Sequence, residues 1–301
     1  MMNNNKNELV VKSNRLIEAS YRLTLAEQRI ILLSIIEARR TETGLTSESI
    51  LEIRAADYAE MFGITVDQAY EQLKEAGQTL FLRYVVLYDK NQKTGREDKT
   101  TVRWVSAVKY MDGNATICIQ FAQQMVPYIS RLEKEFTLYK LEKVANMSSA
   151  YAIRLYELLI QWGSVGYREI ELSLFREILM VVDEYKAIKD LKKRVIDVAL
   201  SQINEFSDLA VSYTQRKTGR VVTHLIFRFD QKEEPKPEPK HAVKPGFEKT
   251  KATKEELAVE FLKNNAKYQK DHANIAPHIA WRTPAIWSQF AGAFDEWACG
   301  R

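Results

Sequence analysis

Lys186-Ala187-Ile188-Lys189-Asp190-Leu191-Lys192-Lys193-Arg194-Val195-Ile196 is a stretch with two faces. At 100° per residue Ile188, Leu191, Val195 and, one turn on, Ala199 line up on one side, with Lys186, Lys189 and Lys193 roughly opposite. Lys192 and Arg194 flank that cationic stripe, and Asp190 is its single acid. The pattern predicts a helix over about 186–206 docked on a core by its apolar face. The opposite face suits a polyanion, because each cation set against a phosphate displaces condensed counterions and adds affinity. Arg194 or a lysine can also donate to guanine edges. A solvated lysine-rich face is the alternative, and spacing alone does not separate the two.

The residues on either side favour the first reading. Runs 209–214 and 221–229 are rich in β-formers, and Leu225, Phe227 and Phe229 alternate with Ile226 and Arg228, as in a sheet buried on one side. Their connection, 215–220, places Arg216, Lys217 and Arg220 at a hairpin tip. Upstream, Ser148-Ser149 can cap a helix with Ala152, Leu155, Tyr156, Leu159 and Trp162 on one face and Gly163 at its stop; a shorter helix is expected over about 174–180. Helix, helix-turn-helix, then hairpin is the winged-helix plan, in which the second helix of the pair enters the major groove.

The same order of elements occurs once before. Thr24 and Glu27 form a capping box opening a helix with Leu25, Leu32, Leu33 and Ile36 near one face. A short helix with Ala55, Tyr58, Ala59 and Phe62 inward should stop at Gly63. Thr65 and Gln68 then open a helix whose inward face is Val66, Ala69, Tyr70 and Leu73. Strands at 84–88 and 101–110, joined by 89–100, complete the unit. Its second helix presents Asp67, Glu71 and Glu75 on one outward stripe, which phosphates would repel. The hairpin carries Lys90, Lys93, Arg96, Lys99 and Arg103, a set that suits auxiliary phosphate contacts or a solvated loop equally well. The expected class is therefore α+β, two tandem winged-helix units over 1–130 and 131–230, with an all-α chain as the rival.

A linker and a tail follow. Residues 231–250 hold four of the seven prolines among many charges and cannot bury a core. Beyond them, 251–301 contains an amphipathic candidate at 253–269 with Leu257, Phe261 and Leu262 on one side. Trp281, Trp287, Phe290, Phe294 and Trp297 come next and suit a docking surface, a fold-back onto the body or a small core of their own.

Composition narrows the function. The chain has 301 residues, 46% hydrophobic, with a net charge of +4, so any basic footprint is local rather than global. No apolar run reaches the length of a membrane span, and the first residues lack a secretory leader's apolar stretch. Cys118 and Cys299 lie far apart, which fits a reducing compartment; a cytoplasmic protein without membrane partners is expected. There is no glycine-rich Walker loop. No two of His224, His241, His272 and His278 are separated by a single residue, so the paired-histidine metal site of a rolling-circle nicking enzyme is missing. Asp271, His272 and His278 match no standard zinc spacing. These features predict a protein that works by binding, without a cofactor, metal or catalytic residue.

The opening residues carry a resemblance. Asn7-Glu8-Leu9-Val10-Val11-Lys12-Ser13-Asn14-Arg15-Leu16-Ile17-Glu18-Ala19, followed by Tyr21-Arg22-Leu23-Thr24-Leu25-Ala26-Glu27-Gln28-Arg29, resembles the N-terminal motif of iteron-binding plasmid replication initiators of the Rep/RepB type. The stretch 185–196 leading to Ile203-Asn204 is similar to that family's DNA-reading helix, and 217–227 to its second wing. The resemblance implies two winged-helix domains in a plasmid-encoded bacterial protein. It implies monomers that bind origin direct repeats (iterons), promote origin opening and recruit the host replication initiator and replicative helicase. It also implies homodimers, in equilibrium with monomers and formed mainly through the first domain, that bind an operator inverted repeat and repress the protein's own gene. Carried onto matching positions, the DNA-contacting stretch is Lys192, Lys193 and Arg194. The family often has arginines where this chain has the two lysines, and lysine lacks arginine's bidentate fork. A winged-helix transcriptional repressor without origin function is the alternative that shares every residue argument except the N-terminal motif.

Overall fold

The computed structural model describes residues 8–40, 45–90, 95, 97–130, 135–232, 254–272, 280 and 283–299. The chain divides into two compact units, Met1–Glu234 and Pro235–Arg301. Most of the expected linker, and Trp281 in the tail, lie outside the described residues.

The first unit opens with β1 (Leu9–Ser13), α1 (Asn14–Glu18) and β2 (Ser20–Tyr21), followed by α2 (Leu25–Arg40), β3 (Leu51–Arg54), α3 (Ala55–Phe62) and α4 (Val66–Thr79). Both capping boxes form. Thr24 N–H donates to Glu27 at 2.7 Å and Glu27 N–H to Thr24 Oγ1 at 3.2 Å, and Thr65 and Gln68 satisfy each other at the start of α4. The Glu27 carboxylate is buried and does more than cap: Arg83 Nε reaches both its oxygens at 2.9 Å, and Thr79 Oγ1 donates at 2.6 Å. It thus pins the end of α4 to the start of α2. Gly63 stops α3 in the left-handed region, φ +64°, where a Cβ is costly. Val66, expected inward, is 53% exposed, and Ala76 takes the extra inward place beside Ala69 and Leu73. As a first-turn residue, Val66 lies beyond the body that α4 packs on.

The strands differ from expectation in one informative way. β4 (Tyr84–Lys90) pairs with β5 (Glu97–Arg103) and with β2, whereas β6 (Val105–Met111) pairs with β7 (Thr116–Phe121), which pairs in turn with β3. The single run expected at 101–110 is therefore two strands in two sheets. The break is Trp104: it and Val105 are both buried, and two adjacent inward side chains cannot alternate on one half-solvated strand. Trp104 meets Tyr21 edge-on, with ring centroids 4.9 Å apart. The hairpin of the first winged helix is β6–β7, and β4–β5 is an added hairpin laid on β2.

After α5 (Val126–Ile129), β8 (Phe136–Lys140) returns to pair with β1, Val10 opposite Tyr139. α6 (Glu142–Ala145), α7 (Ala150–Ile160), β9 (Tyr167–Glu171) and α8 (Leu172–Ile178) follow. Helix α9 covers 188–206 as an α segment Ile188–Leu191, a π turn Lys192–Ile196 and an α segment Asp197–Phe206. β10 (Leu209–Thr218) and β11 (Val221–Gln231) form a hairpin whose second strand also pairs with β9. Ser149 occupies the N-cap of α7 without a side-chain cap bond; Gln202 Oε1 of α9 accepts instead from Ser148 N–H at 2.9 Å and Ser149 N–H at 3.0 Å. Trp162, expected inward, is 41% exposed, because α7 ends at Ile160 before that side chain can join its buried face. The left-handed turn residue is Gly166, φ +68°, rather than Gly163; a Cβ there would stand 2.9 Å from Phe229 O.

Both halves of this unit meet in a buried polar cluster. Glu157 of α7 accepts from Lys12 Nζ of β1 at 2.6 Å and from Tyr139 Oη of β8 at 2.6 Å. Arg154 donates to Tyr21 Oη at 2.6 Å and to Ala19 O at 2.9 Å, and lies 3.4 Å from Glu157. Lys12 and Glu157 are fully buried and Arg154 nearly so. Burial alone would raise the Glu157 carboxyl, but the Lys12 and Arg154 charges, with hydrogen bonds from Lys12 and Tyr139, hold it below the usual carboxylate range.

The second unit comprises α10 (Lys254–Asn264), α11 (Ala266–Asp271), α12 (Pro284–Trp287) and α13 (Ala291–Cys299). The single helix expected over 253–269 is split at Asn265, whose side chain caps α11 by accepting from Lys267 N–H at 3.0 Å and Tyr268 N–H at 3.1 Å. Of the three readings of the aromatic tail, the structure shows the small core: Phe261, Leu262, Tyr268, Phe290 and Phe294 are buried together, flanked by Trp287 and Trp297.

Replacing Glu157 with alanine strands two buried cations, and should cost about 3–5 kcal/mol in equilibrium denaturation. In the native protein the Glu157 contribution is complete above the ordinary carboxylate pKa of about 4.3 and is lost as pH falls through its lowered folded value. Denaturation midpoints measured from pH 7 to pH 3 in the wild type and in Glu157→Gln should converge at the acid end.

Candidate nucleic-acid interface

Helix α9 is held by its apolar side and offers its cations to solvent. Leu191, Val195, Ile196, Ala199, Leu200 and Ile203 are buried, while Lys186, Lys189, Lys193 and Arg194 are exposed and Lys192 is half-buried. The π turn, Lys192–Ile196, falls on the basic triplet 192–194. Among the described residues none of these five cationic groups has an ion-pair partner.

The hairpin is longer and its tip narrower than expected. Pairing continues to Thr218 opposite Val221, so the tip is Gly219-Arg220, with Gly219 at φ +62°. Lys217 and Arg220 project freely there, both exposed. Arg216 lies within the strand beside a register shift and is engaged on its own sheet, 2.9 Å from Glu169 and 2.7 Å from His224 Nε2. Helix and hairpin are tied together directly. Asn204 donates to Val211 O at 2.9 Å and accepts from Val211 N–H at 2.7 Å, while Tyr213 Oη donates to Asp197 at 3.0 Å. The basic helix and the base of the hairpin are therefore joined directly.

The first winged helix has the opposite character. Asp67, Glu71 and Glu75 form an exposed stripe on α4, and the β6–β7 connection carries Asp112, which accepts from Tyr70 Oη at 2.9 Å. Of the cations expected on the first wing, Lys99 is exposed and Arg103 donates to Leu82 O. Lys93, Arg96 and the Lys90 side chain lie outside the described residues. No spacing in the sequence marks Arg176 at the end of α8, whose guanidinium faces the carbonyls of the turn before α9, nor Gln202 as the cap of α7.

Comparison with known proteins bears on the two winged-helix parts. The family profile described as "Initiator Replication protein, WH1" matches residues 9–160, and that described as "Initiator Rep protein, WH2" matches 171–229. A "Replication initiation protein" of Escherichia coli is 29% identical over 230 residues, covering 74% of this chain and 70% of that protein. An "Uncharacterized 27.6 kDa protein" of Escherichia coli is 28% identical over 231 residues, covering 74% of this chain and 95% of its own length. Among solved structures, the Pi initiator protein in complex with iteron DNA is similar in fold: TM-score 0.62 and 23% identity, over 76% of this chain and all of that one.

Alanine in place of Gly219 must adopt a left-handed backbone, which costs about 1–2 kcal/mol. Nothing crowds its Cβ, so the expected effect is local. Amide exchange at 215–222 should accelerate while protection in α7 and α9 is unchanged.

Proposed function

Because the chain belongs to the Rep3 family of initiator replication proteins, matching both of its winged-helix parts, we propose that it initiates plasmid DNA replication by binding iterons, the direct repeats of the plasmid origin. The observation that carries this reading is the set of cations on and just before α9 that have no ion-pair partner among the described residues, on a helix bonded to the hairpin that exposes Lys217 and Arg220 at its tip. In this reading α9 enters the major groove of an iteron through Lys186, Lys189, Lys192, Lys193 and Arg194, and Lys217 and Arg220 meet the flanking backbone. Arg216, paired with Glu169, supports the wing more than it contacts DNA. The second part of the unit, 131–230, reads DNA. The first part, 1–130, supplies dimerisation and auxiliary backbone contacts from Lys90, Lys93, Arg96, Lys99 and Arg103.

Binding energy does the work. Several protomers on adjacent repeats bend and strain the duplex, which lowers the cost of melting neighbouring AT-rich steps. The opened origin then receives the host replication initiator and replicative helicase. Dimers, exchanging with monomers, occupy an operator inverted repeat and repress the protein's own gene. All of this takes place in the bacterial cytoplasm, where the plasmid resides.

A gel-shift titration on separate direct-repeat and inverted-repeat probes tests the reading. Successive complexes on the direct repeats are expected; a shift on the inverted repeat alone would leave only a repressor. Lys193→Ala and Arg194→Ala should each weaken iteron binding by about 1–3 kcal/mol if they touch bases. Unchanged affinity at fixed salt would remove α9 from the interface.

A further inference from the structure

The six residues 180–185 contain two of the three non-glycine residues with positive φ among the described residues, Met180 at +52° and Tyr185 at +48°. A side chain in this region is strained by its own Cβ, so the surrounding structure must hold it there. Met180 is accounted for by the end of α8. Its N–H donates to Glu177 O at 3.0 Å and Val181 N–H to Arg176 O at 2.9 Å, the paired bonds of a Schellman stop with methionine where glycine is usual.

Tyr185 needs another restraint, and Arg176 supplies it. From α8 the guanidinium donates through Nη1 to Glu184 O at 3.1 Å, and through Nη2 to Tyr185 O at 2.9 Å and Lys186 O at 3.4 Å. Three successive carbonyls around the left-handed residue thus converge on one planar cation. The Glu184 side chain is held from the other side by Arg22, which follows β2. Only the arginine fork can serve several carbonyls at fixed angles; a lysine ammonium on a flexible stem cannot reproduce it. Lys186 thus belongs to the clamped turn itself, and α9 begins two residues later with Lys189 in its first turn.

We propose that Arg176 is a positioning residue for DNA recognition: by fixing the left-handed turn at Tyr185 it sets the direction in which α9 leaves the turn, and so where its cations meet DNA, without touching DNA itself. The proposal rests on the reading of α9 as the DNA-facing helix.

The test compares full-length wild type, Arg176→Ala, Arg176→Lys and Arg194→Ala on an iteron duplex and on a scrambled duplex of equal length, across a salt series. Arg176→Ala should lose about tenfold or more in iteron affinity, with scrambled-duplex affinity and the salt slope unchanged. Arg176→Lys should recover little of that loss. Arg194→Ala, if it meets a phosphate, should lower the slope by about one. A slope lowered by one in Arg176→Ala would make it a phosphate contact and overturn the proposal; so would unchanged iteron affinity. Should Arg176→Ala lose its fold, judged by circular dichroism, the double variant Arg176→Ala/Tyr185→Gly decides. Glycine takes the left-handed turn without strain, and the double variant should fold but discriminate poorly; full discrimination would refute the proposal. A wild type that fails to prefer iteron over scrambled DNA would sink the DNA reading and the proposal with it. Preserved wild-type preference with an indifferent Arg176→Ala sinks the proposal alone.

Discussion

A carboxylate with no access to water sits where the two winged helices meet. Glu157 draws Lys12 from β1, Tyr139 from β8 and Arg154 from its own helix onto one point, and Arg154 passes the restraint on to Tyr21 and the Ala19 carbonyl. A buried ion pair is a weak source of net stability, since desolvation offsets most of the attraction, yet breaking one is expensive. That asymmetry makes the cluster a register pin. β1 can shift along β8 only by leaving Lys12 or Glu157 unpaired in the core, so the N-terminal strand, the return strand and α7 are fixed as one arrangement. The position of everything after α7, including the basic helix, follows from it.

The first winged helix uses the same logic with less burial of charge. Glu27 caps α2 and also receives Thr79, the last residue of α4, and Arg83 from the segment that follows, so one side chain joins a helix start to groups 52 and 56 residues away. Capping boxes are local devices by their spacing; here the carboxylate's spare acceptor capacity makes one of them tertiary.

The parts legible in the sequence were those with local causes. Capping at Thr24 and Thr65, the stop at Gly63, the alternation Leu225, Phe227, Phe229 and the two-faced helix after Lys186 depend on neighbours three or four residues away. The missed elements depend on distant ones. β9 alternates Arg168 with Ile170 on its buried side, and an arginine reads as exposed until Glu18 and the Leu158 carbonyl are seen around it. β3 is only four residues long, and its place is set by β7, more than sixty residues later. Trp104 splits a β-rich run because the core needs its ring, which no periodicity announces. At the candidate interface, the exposure of the cations on α9 is readable; the engagement of Arg216 by Glu169 and the contacts of Arg176 with the turn carbonyls are not, since the partners come from other elements.

The acidic stripe of α4 and the basic face of α9 lie on the same unit, 1–234, although the chain's net charge is only +4. Such a molecule has little net pull toward a polyanion but feels a torque in its field. In the proposed reading the field of a duplex would turn it before contact, drawing α9 in and pushing α4 away, so that wrong poses are rejected by repulsion rather than by slow trial docking. Added salt should therefore blunt the selection of orientation as well as the strength of binding. The near-neutral whole also limits how tightly a polyanion of arbitrary sequence holds the protein.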